Sequence, residues 1–243
     1  MPKAPVAQRE PRSPGVGAPR GSRRSPDQAA AAPRFERQLP EERRRALIVA
    51  TIDCLKAHGH EGMSVRRISA AAGVSIGLIN HHFPNKDELV AQAYRHFNGE
   101  LVAGLRRAVD AERLRSGAAA DGGRQRLSVF FRNSFRAPNL DRDVLTAWIV
   151  FWGLLRHSPQ IQRVHSEAYG GYLDLVKTML TELEKDRGPF SLPCHLAAVG
   201  LTALLDGLWL EWCLDPGTFR PDQAIMLCER WVDALHAYRA HHP

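Results

Sequence analysis

The segment Ile68–Lys86, ISAAAGVSIGLINHHFPNK, constrains the fold of this chain more than any other part of its sequence. It contains a short helical stretch, a Gly-Val-Ser break and a second helical stretch that ends at Phe83-Pro84. Gly73 can adopt the left-handed conformation that ends a helix without a Cβ penalty, and Ser75 is a favourable N-cap for the next helix. Two short helices joined by a tight turn with glycine are typical of a helix-turn-helix unit.

The rest of the chain predicts an all-α fold. Acidic residues open the stretch 41–59, apolar residues recur in it at helical spacing, and a glycine ends it. No run alternates with period two, and no internal repeat is evident. Proline and glycine separate the later apolar stretches. Further helices are predicted at about 85–115, 124–136, 140–157, 160–186, 192–214 and 222–241.

Charge divides the chain into three parts. Residues 1–40 hold eight Lys/Arg against three Asp/Glu, together with eight prolines, which predicts a disordered basic arm. Its simplest role is a solubilising extension; the alternative is a non-specific tail that seeks phosphate groups. Residues 41–97, with a net charge of +2, form the predicted helix-turn-helix domain. Residues 98–243 are neutral overall and form a larger helical domain.

The cysteines and the hydropathy pattern indicate a cytoplasmic protein. Four cysteines lie scattered without a CxxC pair, which predicts reduced thiols. The N-terminus lacks the apolar core of a signal peptide, and no run of 18 uninterrupted apolar residues occurs, so no membrane partner is expected. No metal-ligand spacing or phosphate-binding loop is found, so no metal, cofactor or catalytic residue is predicted.

The helix over 75–82 is short, which suits a helix that enters the major groove of DNA with its first turn and one face. Serine and asparagine can bond base edges or phosphates, Ile76 can meet a thymine methyl, and Gly77 lets the backbone approach closely. The predicted DNA-binding residues are Arg43, Arg44, Ser64, Ser75, Ile76, Gly77, Asn80, His81, His82 and Lys86.

The pattern alone leaves a non-DNA interpretation open. Glycine turns between helices are common, adjacent histidines on a helix are usually solvated surface, and a charge of +2 is modest for a nucleic-acid binder. Two further classes remain at this point. One is an all-helical enzyme that pairs Asp206 with His157 or His195; the other is a helical interaction module that never touches DNA.

A family resemblance favours the DNA-binding interpretation. The stretch TIDCLKAHGHEGMSVRRISAAAGVSIGLINHHFPNKDELV resembles the N-terminal domain of TetR-family transcriptional repressors, over about 45–95 and without a gap. The shared features include a second helix with I..A.A and the pattern GVS.G....HF..K..L. The resemblance implies that Ser75, Gly77 and His82 face DNA bases or phosphates and that Lys86 contacts a phosphate.

The same resemblance implies a dimer with a helical body that binds a small-molecule effector. Two half-sites lie about one DNA turn apart, roughly 34 Å, so two recognition helices must be held at that spacing. The stretch 195–214 is apolar all round and must be buried on all sides. With 222–241 it is predicted to form a four-helix bundle between two subunits.

Four residues of the body predict the effector site: Trp148, Trp152, Asp206 and Trp209. Trp148 and Trp152 are four apart and share a helix face, while Asp206 interrupts an apolar run three residues before Trp209. Indole rings with a carboxylate suit an organic cation, above all a quaternary ammonium group. The alternative is structural: the tryptophans belong to the core or interface, and Asp206 bonds a backbone group or crosses the dimer seam.

A narrower resemblance points to one effector. AWIVFW and LLDGLWL are similar to the body of TetR-family repressors of choline-to-glycine-betaine synthesis, which implies choline as the inducer. Glu211 departs from that pattern, which has Arg there. The alternatives are another amine or a non-amine effector, as for a regulator of an efflux or catabolic operon. The ligand is expected to change the spacing of the DNA-binding heads through the helix that starts near Asn85.

Overall fold

A computed structural model describes residues 40–116 and 121–237. The predicted basic arm lies outside the described residues, apart from its last residue. The described residues contain helices and no strand. In chain order the helices are α1 (Pro40–His58), α2 (Val65–Ala72), α3 (Ile76–His82), α4 (Lys86–Ser116), α5 (Gly122–Ser134), α6 (Arg142–Leu154), α7 (Pro159–Arg187), α8 (Cys194–Leu214) and α9 (Pro221–Ala237), with a 3-10 turn at Gly59–Met63.

Helices α2 and α3 form the predicted helix-turn-helix unit on α1. Gly73 takes the left-handed conformation, with φ 64° and ψ 32°, and its N–H bonds the carbonyls at the end of α2. The Ser75 side chain accepts a hydrogen bond of 3.2 Å from the N–H of Leu78 and so caps α3. A small core joins these helices to the start of α4: Leu47, Cys54, Ile68, Ile79, Phe83 and Leu89.

Helix α4 is continuous from the helix-turn-helix unit into the body. Its first turn is capped by Asn85, whose Oδ1 accepts from the N–H of Glu88 at 2.8 Å. Leu89 is buried in the small core, while Leu105 and Val109 are buried in the larger core of the body. The most extensive packing of α4 is against α7, followed by α5. One uninterrupted helix therefore connects the body to the N-terminal unit.

Helix α8 is buried on one side and exposed on another. Ala197, Leu201 and Leu205 lie in the core, whereas Val199 is 44% and Leu214 67% exposed. The sequence predicted that this stretch is buried on all sides. Within a single chain, only one side of α8 is buried. By length and composition α8 is also the one helix among the described residues that could cross a membrane. A core helix passes the same test, and α8 packs against α7, α9 and α6.

Candidate DNA-binding surface and effector cavity

Helix α3 is anchored by one face and exposed on the other. Ile79 is 2% exposed and the following Phe83 1%, so these two side chains fix the helix against the small core. Gly77 and His81 lie on the opposite side of the helix and are exposed, while Ile76, nearer to the buried face, is 41% exposed. The structure thus presents a surface of α3 that the rest of the described chain does not cover. Its exposed residues include Ile76, Gly77, Asn80 and His81, with Ser75 just before the helix.

Nothing in the described chain requires a glycine at position 77. A Cβ atom built at this position meets only the Ser75 Oγ, at 3.8 Å, so an alanine would fit. Glycine inside a helix costs about 1 kcal/mol relative to alanine. Because neither a turn nor close packing needs Gly77, its position favours close approach by something outside the chain.

Arg44 holds the end of α3 as well as facing solvent. Its Nη1 donates a hydrogen bond of 2.8 Å to the carbonyl of His82. Its guanidinium lies 4.4 Å from the centroid of the Phe83 ring, in cation-π geometry. The predicted phosphate contact of Arg44 stays a prediction. The structure gives it a second role that the sequence did not indicate, since it satisfies a C-terminal carbonyl of α3.

The remaining predicted DNA residues flank α3. Lys86 is exposed at the first position of α4, and Ser64 is exposed before α2 without a side-chain capping bond. Arg43 is half-buried. Burial, and then the positive charges of His81, Arg44 and Arg43, lower the pKa of His82. Near neutral pH the His82 ring is therefore uncharged, and a phosphate contact from it would be a neutral hydrogen bond.

In the body, α4, α6, α7 and α8 line a partly open cavity of about 60 Å³. One water needs about 10–15 Å³ on this measure, so the cavity has room for a small organic molecule. The four residues predicted as an effector site all line it. The complete lining is Tyr94, Asn98, Leu101, Trp148, Trp152, His165, Tyr169, Tyr172, Asp206 and Trp209.

Aromatic rings make up most of the cavity wall. The ring centroids of Trp148 and Trp152 lie 6.1 Å apart, with 35° between the planes. Tyr94 meets Trp148 edge to face at 5.7 Å and 85°. Trp209 donates its indole N–H to the carbonyl of Ser134 at 3.3 Å, so its polar atom is satisfied. These contacts fix the rings in place and leave a wall suited to an apolar or cationic group.

Asp206 is a half-buried carboxylate in this aromatic wall. Among the residues that the structure describes, it makes no hydrogen bond and no ion pair. Burial raises its pKa from 3.8 to about 6. Burying an unpaired carboxylate is costly, and a cation in the cavity would offset that cost.

Two polar contacts connect the cavity wall across helices. The Tyr94 hydroxyl and His165 Nδ1 are 2.6 Å apart, and Asn98 on α4 donates to the carbonyl of Ala168 on α7 at 3.4 Å. Burial lowers the pKa of His165, which favours a neutral ring that shares this hydrogen bond with the Tyr94 hydroxyl. Tyr172 is different, because its buried hydroxyl has no hydrogen-bond partner among the described residues.

The contribution of α4 and α7 to the cavity was not predicted from the sequence. For α7 a signal exists: His165, Tyr169 and Tyr172 are spaced four and three apart, which places them on one helix face. The two histidines considered as partners of Asp206 in an enzyme, His157 and His195, do not line the cavity. Among the described residues, no group of three or more His, Cys, Asp and Glu side chains could hold a metal ion.

Known protein families match both the N-terminal and the C-terminal part of the chain. Residues 47–93 match the model of bacterial regulatory proteins of the tetR family, and residues 123–237 match the C-terminal model of BetI-type transcriptional repressors. The HTH-type transcriptional regulator BetI of Burkholderia thailandensis is 31% identical over 203 residues, which cover 83% of this chain and 97% of that protein. BetI 1 of Chromohalobacter salexigens is 28% identical over 82% of this chain and 93% of its own length.

Solved structures show the same architecture. A transcriptional regulator from Pseudomonas aeruginosa PAO1 is 47% identical, covers 86% of this chain and 98% of its own, and has a TM-score of 0.74. A regulator from Saccharomonospora viridis, solved in complex with choline, has a TM-score of 0.63 at 22% identity over 79% of this chain and 96% of its own. At that identity the likeness concerns the fold.

The helix-turn-helix unit, the exposed surface of α3 and the cavity-bearing helical body define a DNA-binding transcriptional regulator rather than an enzyme. The chain belongs to the TetR family of transcriptional regulators, and its C-terminal part to the BetI-type repressors.

Proposed function

We propose that this protein is a homodimeric repressor that binds a palindromic operator and is released by a small quaternary ammonium compound, choline or a close relative. The observation that carries the proposal is the carboxylate of Asp206, half-buried in an aromatic cavity without a partner among the described residues. The proposal includes a cytoplasmic location and the domain organisation predicted from the sequence, with DNA binding in 41–97 and effector binding with dimerisation in 98–243.

A quaternary ammonium group fits this chemistry for two reasons. It carries a full positive charge that balances Asp206, and it has no N–H, so it needs no hydrogen-bond acceptors in the cavity wall. Each aromatic ring in contact with such a cation contributes about 0.5–2 kcal/mol, more when the site is desolvated. Trp148, Trp152 and Tyr169 offer such rings beside the acid.

The size of the cavity also selects among ligands. The fold alone does not, since FadR of Bacillus subtilis has a similar fold, with a TM-score of 0.61, and was solved with stearoyl-CoA. A cavity of about 60 Å³ suits a ligand of few heavy atoms. The names of the relatives and the choline complex of the Saccharomonospora viridis regulator support the same choice.

For DNA, the proposal assigns base and phosphate contacts to the predicted residues on and around α3. Ser75, Ile76, Gly77 and Asn80 would approach bases, because they are exposed on or at the start of the recognition helix. His81 would also face the groove, and phosphate contacts are assigned to residues that flank α3 or lie in its last turn: Arg43, Arg44, Ser64, His82 and Lys86.

The second recognition helix would come from a second copy of the chain. Helices α8 and α9 expose an apolar surface, which we call the bundle face and define by Leu196, Val199, Leu210, Leu214, Met226 and Leu227. Their exposed fractions lie between 39% and 67%, which is high for so many large apolar side chains on two adjacent helices. Two bundle faces packed together by a two-fold axis would make an intersubunit four-helix bundle.

The switch would operate through α4. A ligand in the cavity contacts Tyr94 and Asn98 on this helix, and the same helix begins at Lys86 beside α3. For release, the ligand must bind the DNA-incompetent arrangement of the dimer more tightly than the competent one, since equal affinity shifts nothing.

Thermal unfolding with added choline tests the effector. Choline is expected to raise the melting temperature of the full chain at millimolar concentration, and Asp206→Asn or Trp152→Ala is expected to remove that rise. The enzyme-like alternative and a non-amine effector predict no response. A wild-type protein that gives no shift with choline or with tetramethylammonium would refute a quaternary ammonium ligand.

Operator binding is tested separately. Lys86→Ala is expected to weaken binding to all DNA sequences and to reduce the slope of log affinity against log salt by about 1, while Asn80→Ala is expected to relax preference for the operator. Unchanged affinity and slope in both variants would show that α3 and its flank do not contact DNA.

A further inference from the structure

A second concave site, which we call the junction groove, lies where the N-terminal unit meets the body. Its sides are the second half of α1, the middle of α4, and the segment 133–148, which holds the end of α5, the link to α6 and the first half of α6. The volume of the junction groove is about 490 Å³, against about 60 Å³ for the effector cavity. It therefore has room for a larger molecule, and such a molecule would contact both the N-terminal unit and the body.

The most buried side chains that line the junction groove are apolar. Ile52 on α1 and Trp148 on α6 are each 6% exposed, and Phe97 and Leu101 on α4 are half-buried. The ring centroids of Phe97 and Trp148 lie 4.9 Å apart. Trp148 and Leu101 also line the effector cavity, so these two side chains form a wall shared by the two sites. An apolar part of a ligand would be removed from water against this surface, which is favourable.

Three basic side chains line the junction groove from its three sides: Lys56, Arg107 and Arg136. The Nζ of Lys56 lies 5.7 Å from the centroid of the Phe97 ring. A Cβ atom built at Gly104, which also lines the groove, would meet only the Nη2 of Arg107, at 3.8 Å. Among the residues that the structure describes, none of the three cations pairs with a carboxylate. Their N–H groups are thus available to an anion.

Two carboxylates line the same groove, those of Asp53 and Glu100. Asp53 lies at the edge of the groove, since it also lines a shallow surface between α1 and α2. The three cations therefore outnumber the carboxylates, and the excess of positive charge is greater away from that edge. Unpaired cations beside apolar side chains are complementary to a molecule that carries both a negative charge and an apolar part.

We propose that the junction groove is a second small-molecule site and that its ligand is an organic anion with an apolar body, such as an aromatic carboxylate. The carboxylate would accept hydrogen bonds from Lys56, Arg107 and Arg136, and the apolar body would cover the side chains of Ile52 and Phe97. Inorganic phosphate matches the cations alone and leaves the apolar surface in water. The inference goes beyond the proposed function and does not depend on the identity of the effector in the other cavity.

Calorimetry on the full-length protein tests the ligand class with two molecules of the same shape. Naphthalene-2-carboxylate carries the charge that naphthalene-2-carboxamide lacks. The carboxylate is expected to bind about tenfold more tightly, or more, because hydrogen bonds to a charged group are the stronger ones. Inorganic phosphate at the same concentration is expected to leave this binding unchanged. Equal affinity for the two molecules, no binding of the carboxylate at millimolar concentration, or its displacement by phosphate would each overturn the proposal.

Two variants locate the binding in the junction groove. Arg107→Gln is expected to weaken the carboxylate about tenfold. Arg106→Gln is its matched control, since it removes the same charge from the next residue of α4, which does not line the groove, and it should bind like the wild type. Gly104→Leu places a side chain in the groove and should abolish binding, while thermal unfolding without ligand shows that the variant is folded. An equal loss in Arg106→Gln, or wild-type affinity in Arg107→Gln and Gly104→Leu, would refute the site.

Trp152→Ala separates the two sites, because Trp152 lines the effector cavity and not the junction groove. It is expected to keep the affinity for naphthalene-2-carboxylate. Loss of binding in Trp152→Ala together with retention in Gly104→Leu would place the anion in the effector cavity and overturn the proposal. A wild type that binds the carboxylate and gives no response to choline would refute the proposed effector and support this inference. The opposite result would refute the second site alone.

Discussion

The hydroxyl of Tyr94 on α4 and Nδ1 of His165 on α7 form a hydrogen bond of 2.6 Å, across 71 residues of sequence. Both side chains line the effector cavity, and α4 is the helix that continues into the DNA-binding unit. In the proposed switch, the bond joins the cavity to the helix that leads to the recognition helix. A ligand that changes the cavity wall would act directly on this contact.

Tyr94→Phe is expected to destabilise the ligand-free protein by about 1 kcal/mol, because one hydrogen bond is lost and Nδ1 of His165 is left unpaired. It should also reduce the factor by which choline weakens operator binding, since α4 is then less firmly tied to the cavity. Urea unfolding measures the first effect, and operator titration with and without choline measures the second. A double-mutant cycle with His165→Phe should show coupling; additive effects would mean that the two residues act independently.

Asp206 makes the stability of the ligand-free protein depend on pH. Its folded pKa of about 6 lies above its unfolded value of 3.8, so the folded state binds the proton more tightly. The stability that this proton supplies is fully present below pH 3.8 and is lost as pH rises through about 6. Asp206→Asn is thus expected to be more stable than the wild type at pH 7.5 by about 1–3 kcal/mol, with the difference shrinking toward pH 4. Denaturant unfolding at several pH values checks this; an equal or less stable variant at pH 7.5 would show that the carboxylate has a hidden partner.

Effector affinity should fall in acid for the same reason. A cation requires the ionised form of Asp206, so the dissociation constant of choline is expected to stay level above pH 7. Below about pH 6 it should rise, approaching tenfold per pH unit. Calorimetry from pH 5 to pH 8 measures the curve. In Asp206→Asn the remaining affinity should be weak and independent of pH; the same acid sensitivity in that variant would assign the titrating group elsewhere.

Gly77→Ala separates DNA contact from stability. The added methyl group meets only the Ser75 Oγ, at 3.8 Å, so the protein should gain up to about 1 kcal/mol in stability from helix propensity. Operator affinity should fall at least tenfold, since the methyl group would hold the backbone away from the groove. Gly99→Ala on α4 is the matched control: it also adds a methyl group in open space and should leave operator binding unchanged. Undiminished operator binding by Gly77→Ala would place α3 farther from the bases.

Local signals predicted the helices, but not the contacts between them. Caps and breaks placed α8 at 192–214 against an observed Cys194–Leu214, and the face shared by Trp148 and Trp152 indicated the cavity, because periodicity and capping act within a few residues. The role of Tyr94 in the cavity wall was not predicted, because it depends on a residue 71 positions away. Arg44 was predicted as a phosphate contact alone, yet it bonds the carbonyl of His82, 38 residues later. Neither relationship leaves a pattern in one stretch of sequence.

Introducing charged residues on the bundle face tests whether this surface forms the dimer interface. In Val199→Glu combined with Leu227→Glu, two exposed apolar side chains become carboxylates, which are unfavourable when buried against a second copy. We expect a folded monomer in analytical ultracentrifugation and operator binding weakened at least a hundredfold, because one recognition helix alone reads only a half-site. Leu114→Glu is the control, since Leu114 on α4 is 87% exposed and lies outside the bundle face. A dimer that persists in the double variant would mean that the subunits associate through another surface, and α8 would then need a different explanation for its exposed side.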